Sequence, residues 1–183
     1  MVFHNSKQRQ LKAKMPNWCY NSVCFTFKDE ENYKRLKNLC DKTEDECLCE
    51  CVLPRPEEEE ENWYNWNTKN WGTKWDVGNA EFCWNDDDMC VEISFETAWS
   101  PPIGVYEALY KDWNADVKAS YWEPGCYFCG LFDYNLDKQT HNVYEFGALK
   151  READENNLTE DEEDLWLMVK EYVDDDDESD EEN

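Results

Sequence analysis

Along this chain, runs with alternating apolar and polar residues change places with runs in which apolar residues recur every three or four positions. Val23, Phe25 and Phe27 alternate with Cys24, Thr26 and Lys28, predicting a strand over about residues 17–27. Asp29 suits the cap of a helix running to about Cys40, with Tyr33, Leu36 and Cys40 on one face and Leu39 beside them. Cys47, Cys49 and Cys51 alternate with Leu48, Glu50 and Val52, predicting a short extended segment that Pro54 and Pro56 stop. The acidic run 57–61 suits a first helical turn. Trp63 and Trp66, one turn apart, carry that helix to about Asn70, where Gly72 breaks it.

The second half continues in the same way. Residues 80–84 and 90–97 read as two strands joined by the turn chemistry of Asn85-Asp86-Asp87-Asp88, with Val91, Ile93 and Phe95 turned toward a core. Ser100, Pro101 and Pro102 open a helix with Val105, Ala108, Leu109 and Trp113 as its apolar stripe. Residues 115–122 form the next strand, with Val117, Ala119 and Tyr121 on one face. Pro124-Gly125 turns the chain into a strand over 126–134, and residues 141–147 add a short one. Residues 151–157 read as a linker. Thr159 and Glu162 form a capping box ahead of an amphipathic helix with Leu165, Met168, Val169 and Tyr172 on one face and Trp166 beside them.

The order strand, helix, strand, strand, helix, strand predicts an α+β ferredoxin-like sandwich: an antiparallel sheet with two helices on one face. To it are added an inserted Trp-rich helix, an extra C-terminal hairpin strand and the amphipathic C-terminal helix. The expected organisation is a basic disordered arm over 1–14, the domain over 15–150, linker and helix over 151–173, and a disordered acidic tail over 174–183. Met15 opens the change of texture and is a candidate translation start.

Charge narrows the classes of partner. The chain has 183 residues, 44 acids, 18 bases and a formal net charge of −26. Residues 152–183 hold 17 of those acids and one base, so the body is only moderately acidic. That balance argues against direct binding to nucleic-acid phosphates and favours a basic protein partner, or a surface that imitates a polyanion. The N-terminus lacks an apolar signal core, and no apolar run reaches the ~20 residues of a membrane span. Ten cysteines without a secretory signal point to buried thiols in a reducing compartment.

Four runs combine tryptophan with turn residues. They are Met15-Pro16-Asn17-Trp18-Cys19-Tyr20-Asn21, Asn70-Trp71-Gly72-Thr73-Lys74-Trp75-Asp76, Thr97-Ala98-Trp99-Ser100-Pro101-Pro102, and Tyr121-Trp122-Glu123-Pro124-Gly125. In this order they resemble the signature of the YubB ferredoxin-like domain family of phages, plasmids and other mobile elements. The resemblance implies the fold and a viral or mobile-element source, and it carries no activity or catalytic residue.

These runs are expected to meet at one end of the sheet. Asn17, Trp18, Trp71, Lys74, Trp75, Trp99 and Glu123 would then line a pocket with an aromatic floor and a polar rim. The plainer alternative is that the tryptophans brace the core and Lys74 pairs with Glu123. Cys47, Cys49, Cys51, Cys126 and Cys129 could offer thiolates to zinc, although the spacing departs from a zinc knuckle. His4 and His141 are isolated, and no nucleophile elbow or phosphate loop is present. No catalytic residue is assigned and no cofactor is expected.

The tail residues Asp174, Asp175, Asp176, Asp177 and Glu178 are either a docking segment for a basic protein or a solubilising end. The leading expectation is a non-enzymatic interaction module acting in the cytoplasm of a host cell or in the virion. A small-molecule-binding protein or enzyme at the Trp pocket, and an acidic mimic that inhibits a host DNA-binding protein, are the alternatives.

Overall fold

The computed structural model describes residues 17–42 and 47–174. The arm over 1–14 and the tail residues Asp175, Asp176, Asp177 and Glu178 lie outside the described residues, and Asp174 ends the last short helix.

The period-two pattern acts as expected. In β1 (Trp18–Phe27), Cys19, Asn21, Val23, Phe25 and Phe27 are buried on one face, and their neighbours line the other. β3 (Cys90–Ala98) and β4 (Ala115–Glu123) flank β1 antiparallel and share its polarity, with Val23 opposite both Ile93 and Ala119. β2 (Gly78–Asn85) pairs with the outer side of β3. β5 (Phe128–Tyr134) and β6 (Gln139–Glu145) extend the sheet beyond β4, giving the order β2-β3-β1-β4-β5-β6. The stretch β2-β3-β1-β4 is the ferredoxin-like core, and the fold is α+β.

Helices α1 (Glu30–Cys40) and α4 (Ile103–Asp112) cover one face. Tyr33 and Leu36 of α1, and Val105, Tyr106, Ala108 and Leu109 of α4, join the strand residues in the main core. Asp29 caps α1 through the Asn32 amide at 2.8 Å, as its position in the sequence predicts. Pro101 and Pro102 stand before α4 rather than inside its first turn.

Two expectations are corrected. Residues 47–52 are not extended: Leu48–Val52 is a short helix, α2. Its i, i+4 spacing puts Cys47 and Cys51 together, with Sγ atoms 3.4 Å apart, and sends Cys49 into the core. Alternation of small apolar residues over so few positions fits a helical turn as well as a strand, and Asp76 decides by accepting the amides of Cys49 and Glu50 at the helix start. Residues 151–157 are not simply a linker, because Phe146–Asp154 forms helix α5.

The Trp-rich insertion is a 3₁₀ turn, Glu57–Asn62, followed by α3 (Trp63–Asn70). At the other end, α6 (Glu160–Val169) begins with the expected capping box and is followed by α7 (Glu171–Asp174). α5 and α6 pack on the second face of the sheet, over β4 and β5. There Cys129, Phe146, Leu149, Leu165 and Val169 make a separate small core, with Trp122 and Leu131 against it. Leu165 and Val169 are the buried side of α6, whereas Met168 and Tyr172 stay exposed. Among the described residues, no helix is long and apolar enough to cross a membrane.

Candidate functional site

β1 starts, and β3 and β4 end, at the same edge of the sheet, where Trp18 pairs with Ala98 and Tyr20 with Trp122. The loop before β2 arrives at this edge too, so the four tryptophan runs converge there. The hydrogen bonds that tie those loops down decide which of their side chains are buried and which stay outside.

The 70–77 loop is held at almost every residue. Gly72 (φ +92°) turns the chain against the backbone of Pro101, and its carbonyl accepts the Ser100 hydroxyl. Thr73, buried, donates its hydroxyl to the Ala98 carbonyl at 3.0 Å. Asn67, itself buried, donates its side-chain amide to the Lys74 carbonyl at 2.9 Å. Asp76 accepts three backbone amides, Cys49, Glu50 and Val77, at 2.7–2.8 Å. Burial raises the Asp76 carboxyl above the usual aspartate value, and those amides work against the shift.

The 97–104 loop is tied as firmly. Trp99 donates its backbone N–H to the Asn17 carbonyl at 2.9 Å. The Thr97 hydroxyl donates to the Ser100 carbonyl at 2.8 Å. Beneath, Tyr106 donates to Asn21, whose amide donates to Thr97 and to the Cys19 carbonyl, so every buried polar atom of this trio has a partner. Gly104 lies so close to Asn70 that a Cβ there would fall on the Asn70 carbonyl oxygen. The two loops are thus locked backbone to backbone.

These ties leave a set of aromatic rings outside. Trp75 is 38% exposed, Trp99 41% and Tyr64 of α3 43%. The Lys74 ammonium stands among them, 4.1 Å from the Trp75 ring centre, 5.1 Å from Trp99 and 6.0 Å from Tyr64. Trp18 completes the group, its ring centre 6.4 Å from that of Trp75. Trp99 holds φ +72°, a left-handed backbone that a bulky side chain adopts only at a cost of roughly 1–3 kcal/mol.

The other residues expected in this pocket are elsewhere. Trp71 is a core residue, 2% exposed, donating its indole N–H to the Leu53 carbonyl at 2.7 Å and meeting Trp66 edge to face. Glu123, 1% exposed, accepts the Gly125 amide at 2.8 Å. Lys74 forms no ion pair among the described residues, so the expected Lys74–Glu123 bridge is replaced by cation–π contacts. Asn17 belongs with Glu123: its amide contacts Cys126 Sγ at 3.7 Å, and the absence of a Cβ at Gly125 gives it room. The Glu123 carboxylate raises the Cys126 thiol. Trp122 turns to the second face, where it stacks on Tyr20 at 5.3 Å.

The cysteines are dispersed. Cys47 and Cys51 share one side of α2, Cys49 is in the main core, Cys126 is exposed at the turn, and Cys129 is in the second core. Among the described residues, no group of three or more His, Cys, Asp or Glu side chains is arranged to hold a metal ion.

Two features escaped the sequence. On the second face, Ser22, Cys24, Glu92 and Ser94 floor an open trough of about 720 Å³, with Met168 of α6 on its wall. Cys24 and Cys90 lie on this face with their thiols 3.1 Å apart. Burial and its partner push the Cys24 thiol up to about 12. Tyr121 meets His141 Nε2 at 2.6 Å, across a Gly130 where any Cβ would collide with the tyrosine ring. Burial lowers the His141 pKa. The one available signal was the glycine inside a strand, which marks close approach.

Residues 70–166 match the family described as "Ferredoxin-like domain in Api92-like protein", more than half of the chain. The protein belongs to that family. No curated protein and no solved structure matches it. The Api92-like match begins at Asn70, the last residue of α3 and just ahead of the tied loop, and runs through β6 into α6. It therefore takes in Lys74, Trp75, Trp99 and most of the second-face helices.

Proposed function

We propose that this Api92-like chain is a non-enzymatic protein-interaction module that docks a basic protein through its Trp-rich end. The observation that carries the reading is the group of Trp75, Trp99 and Tyr64 around Lys74, with Trp18 beside Trp75: large rings left partly exposed, two of them on loops held at almost every residue. Rigid, exposed tryptophan and tyrosine give contact area at low conformational cost, which is what interface hot spots use. The strain at Trp99 supports the same reading, because its ring, 41% exposed, is only partly buried in return.

The net charge of −26 draws a basic partner from a distance, and the tail residues Asp174, Asp175, Asp176, Asp177 and Glu178 add to that attraction. The resemblance of the four tryptophan runs to the YubB family supports a virus or mobile element as the source, and the host cytoplasm or the virion as the place of action.

The test is capture from host lysate at low and high salt, with three baits: the wild-type chain, a Trp75→Ala/Trp99→Ala double variant, and a chain ending at residue 173. The reading expects basic proteins that the double variant loses and that the shortened chain holds less well at low salt only. The same proteins captured equally by the double variant would refute it.

A further inference from the structure

We infer that Trp75, Trp99 and Tyr64 form a receptor site for a cationic side chain of the guanidinium or methylated-ammonium class, in which Lys74 is a built-in placeholder. The inference rests on the docking role of the Trp-rich end and adds what the site holds.

Lys74 shows that the space accepts a cation. Its ammonium lies within about 6 Å of three ring centres, the range over which a ring quadrupole attracts positive charge. It makes no ion pair among the described residues. It is therefore held only by cation–π contacts, which are weak where solvent reaches them, and its four-carbon stem lets it swing away.

A guanidinium or a methylated ammonium is better suited to the rings than Lys74. Both are more weakly hydrated than a primary ammonium, so less hydration is lost on contact, and a guanidinium also stacks flat on an indole. The surroundings favour the same sign of charge. The exposed acidic run at Glu57, Glu58, Glu60 and Glu61 leads directly into α3, the helix that carries Tyr64. An anionic ligand would meet those carboxylates and the overall negative field.

The geometry of the walls is fixed independently of the occupant. Asn67 and Asp76 hold the backbone on both sides of Lys74 and Trp75, and Asn17 holds Trp99. Emptying the site by removing the Lys74 side chain should leave those walls standing.

The experiment is a titration of the full chain with tetramethylammonium chloride, followed by the indole N–H signals in NMR. Sodium chloride at equal ionic strength is the control, and Trp75→Phe and Trp99→Phe assign the two signals. The indoles of Trp75 and Trp99 should move together and saturate in the wild type. Lys74→Ala should bind about 3- to 10-fold more tightly, because a competing occupant is gone. Trp75→Ala and Trp99→Ala should each abolish saturation while the dispersed signals of the core are kept.

Equal or weaker binding by Lys74→Ala, or movement confined to other indoles, would overturn the inference. The outcomes also separate the two levels. Saturation as described, with no protein captured through Trp75 and Trp99, leaves this site standing and removes the docking role. Capture that depends on both tryptophans and is lost in Lys74→Ala makes Lys74 itself the contact, and the placeholder idea fails.

Discussion

The backbone N–H of Trp99 donates to the carbonyl of Asn17 at 2.9 Å, tying the end of β3 to the start of β1 across the edge of the sheet. That bond fixes Trp99 at φ +72° and delivers its ring to Lys74. The strain is a property of the backbone, whereas the ring is its product. A glycine at this position should relieve the strain and an alanine should not. Chemical denaturation should therefore find Trp99→Gly more stable than Trp99→Ala by about 1 kcal/mol, with both lacking the cation site. Equal stabilities would show that the left-handed backbone costs nothing here.

Gly104 gives a sharper steric case. In the first turn of a helix, an alanine should help by about 1 kcal/mol on propensity alone. Here its Cβ would fall on the Asn70 carbonyl oxygen, a backbone atom that cannot swing aside. The clash outweighs the propensity, and Gly104→Ala should lose on the order of 3 kcal/mol or more. The loss should also reach the Trp75 and Trp99 indole signals, because the same contact locks their loops.

Asp76 is the joint between α2 and the tied loop. Asparagine keeps the shape but turns an N–H₂ group toward amides that need an acceptor. Asp76→Asn should lower stability by about 2–3 kcal/mol and blur the near-ultraviolet circular dichroism of the loop tryptophans. An unchanged spectrum would mean that the loop holds its place without this carboxylate.

The second-face helices should be part of the folded unit. Leu165 is fully buried between α6 and the sheet. Leu165→Ala should cost about 2–4 kcal/mol and increase exposure of Trp122 and Leu131 to a fluorescent apolar dye. A much smaller loss would mean that these helices rest on the sheet without adding to its stability.

The cap of α1 makes stability depend on pH. Asp29 is held below the ordinary aspartate value by the Asn32 amide and then by the Asn114 side chain. A carboxyl depressed in the folded state adds stability that is present above its unfolded pKa of about 3.9 and is lost as pH falls through the lower folded value. Asp29→Asn should melt below the wild type at pH 6, and the gap should close as the pH drops below about 3. A gap independent of pH would assign the difference to shape rather than charge.

The sequence by itself determined the strands and the long helices, because each is a local pattern with one periodicity. Alternation in β1, β3 and β4, the Asp29 cap and the Thr159–Glu162 box all needed only near neighbours, and the succession of elements along the chain matches that of a ferredoxin-like sandwich. It also placed the four tryptophan runs at element ends, which this topology gathers at one edge.

Tertiary structure alone decided what each side chain does there. Trp71 and Trp75 are four residues apart in one motif, yet one is core and the other lies exposed against a lysine, because contacts from Leu53, Ala98 and Asn67 set the path of the loop between them. Residues 47–52 became a helix for a similar reason: a carboxylate 26 or 27 positions away caps them. Local pattern cannot encode partners that distant chain segments supply, and the candidate site is built almost wholly from such partners.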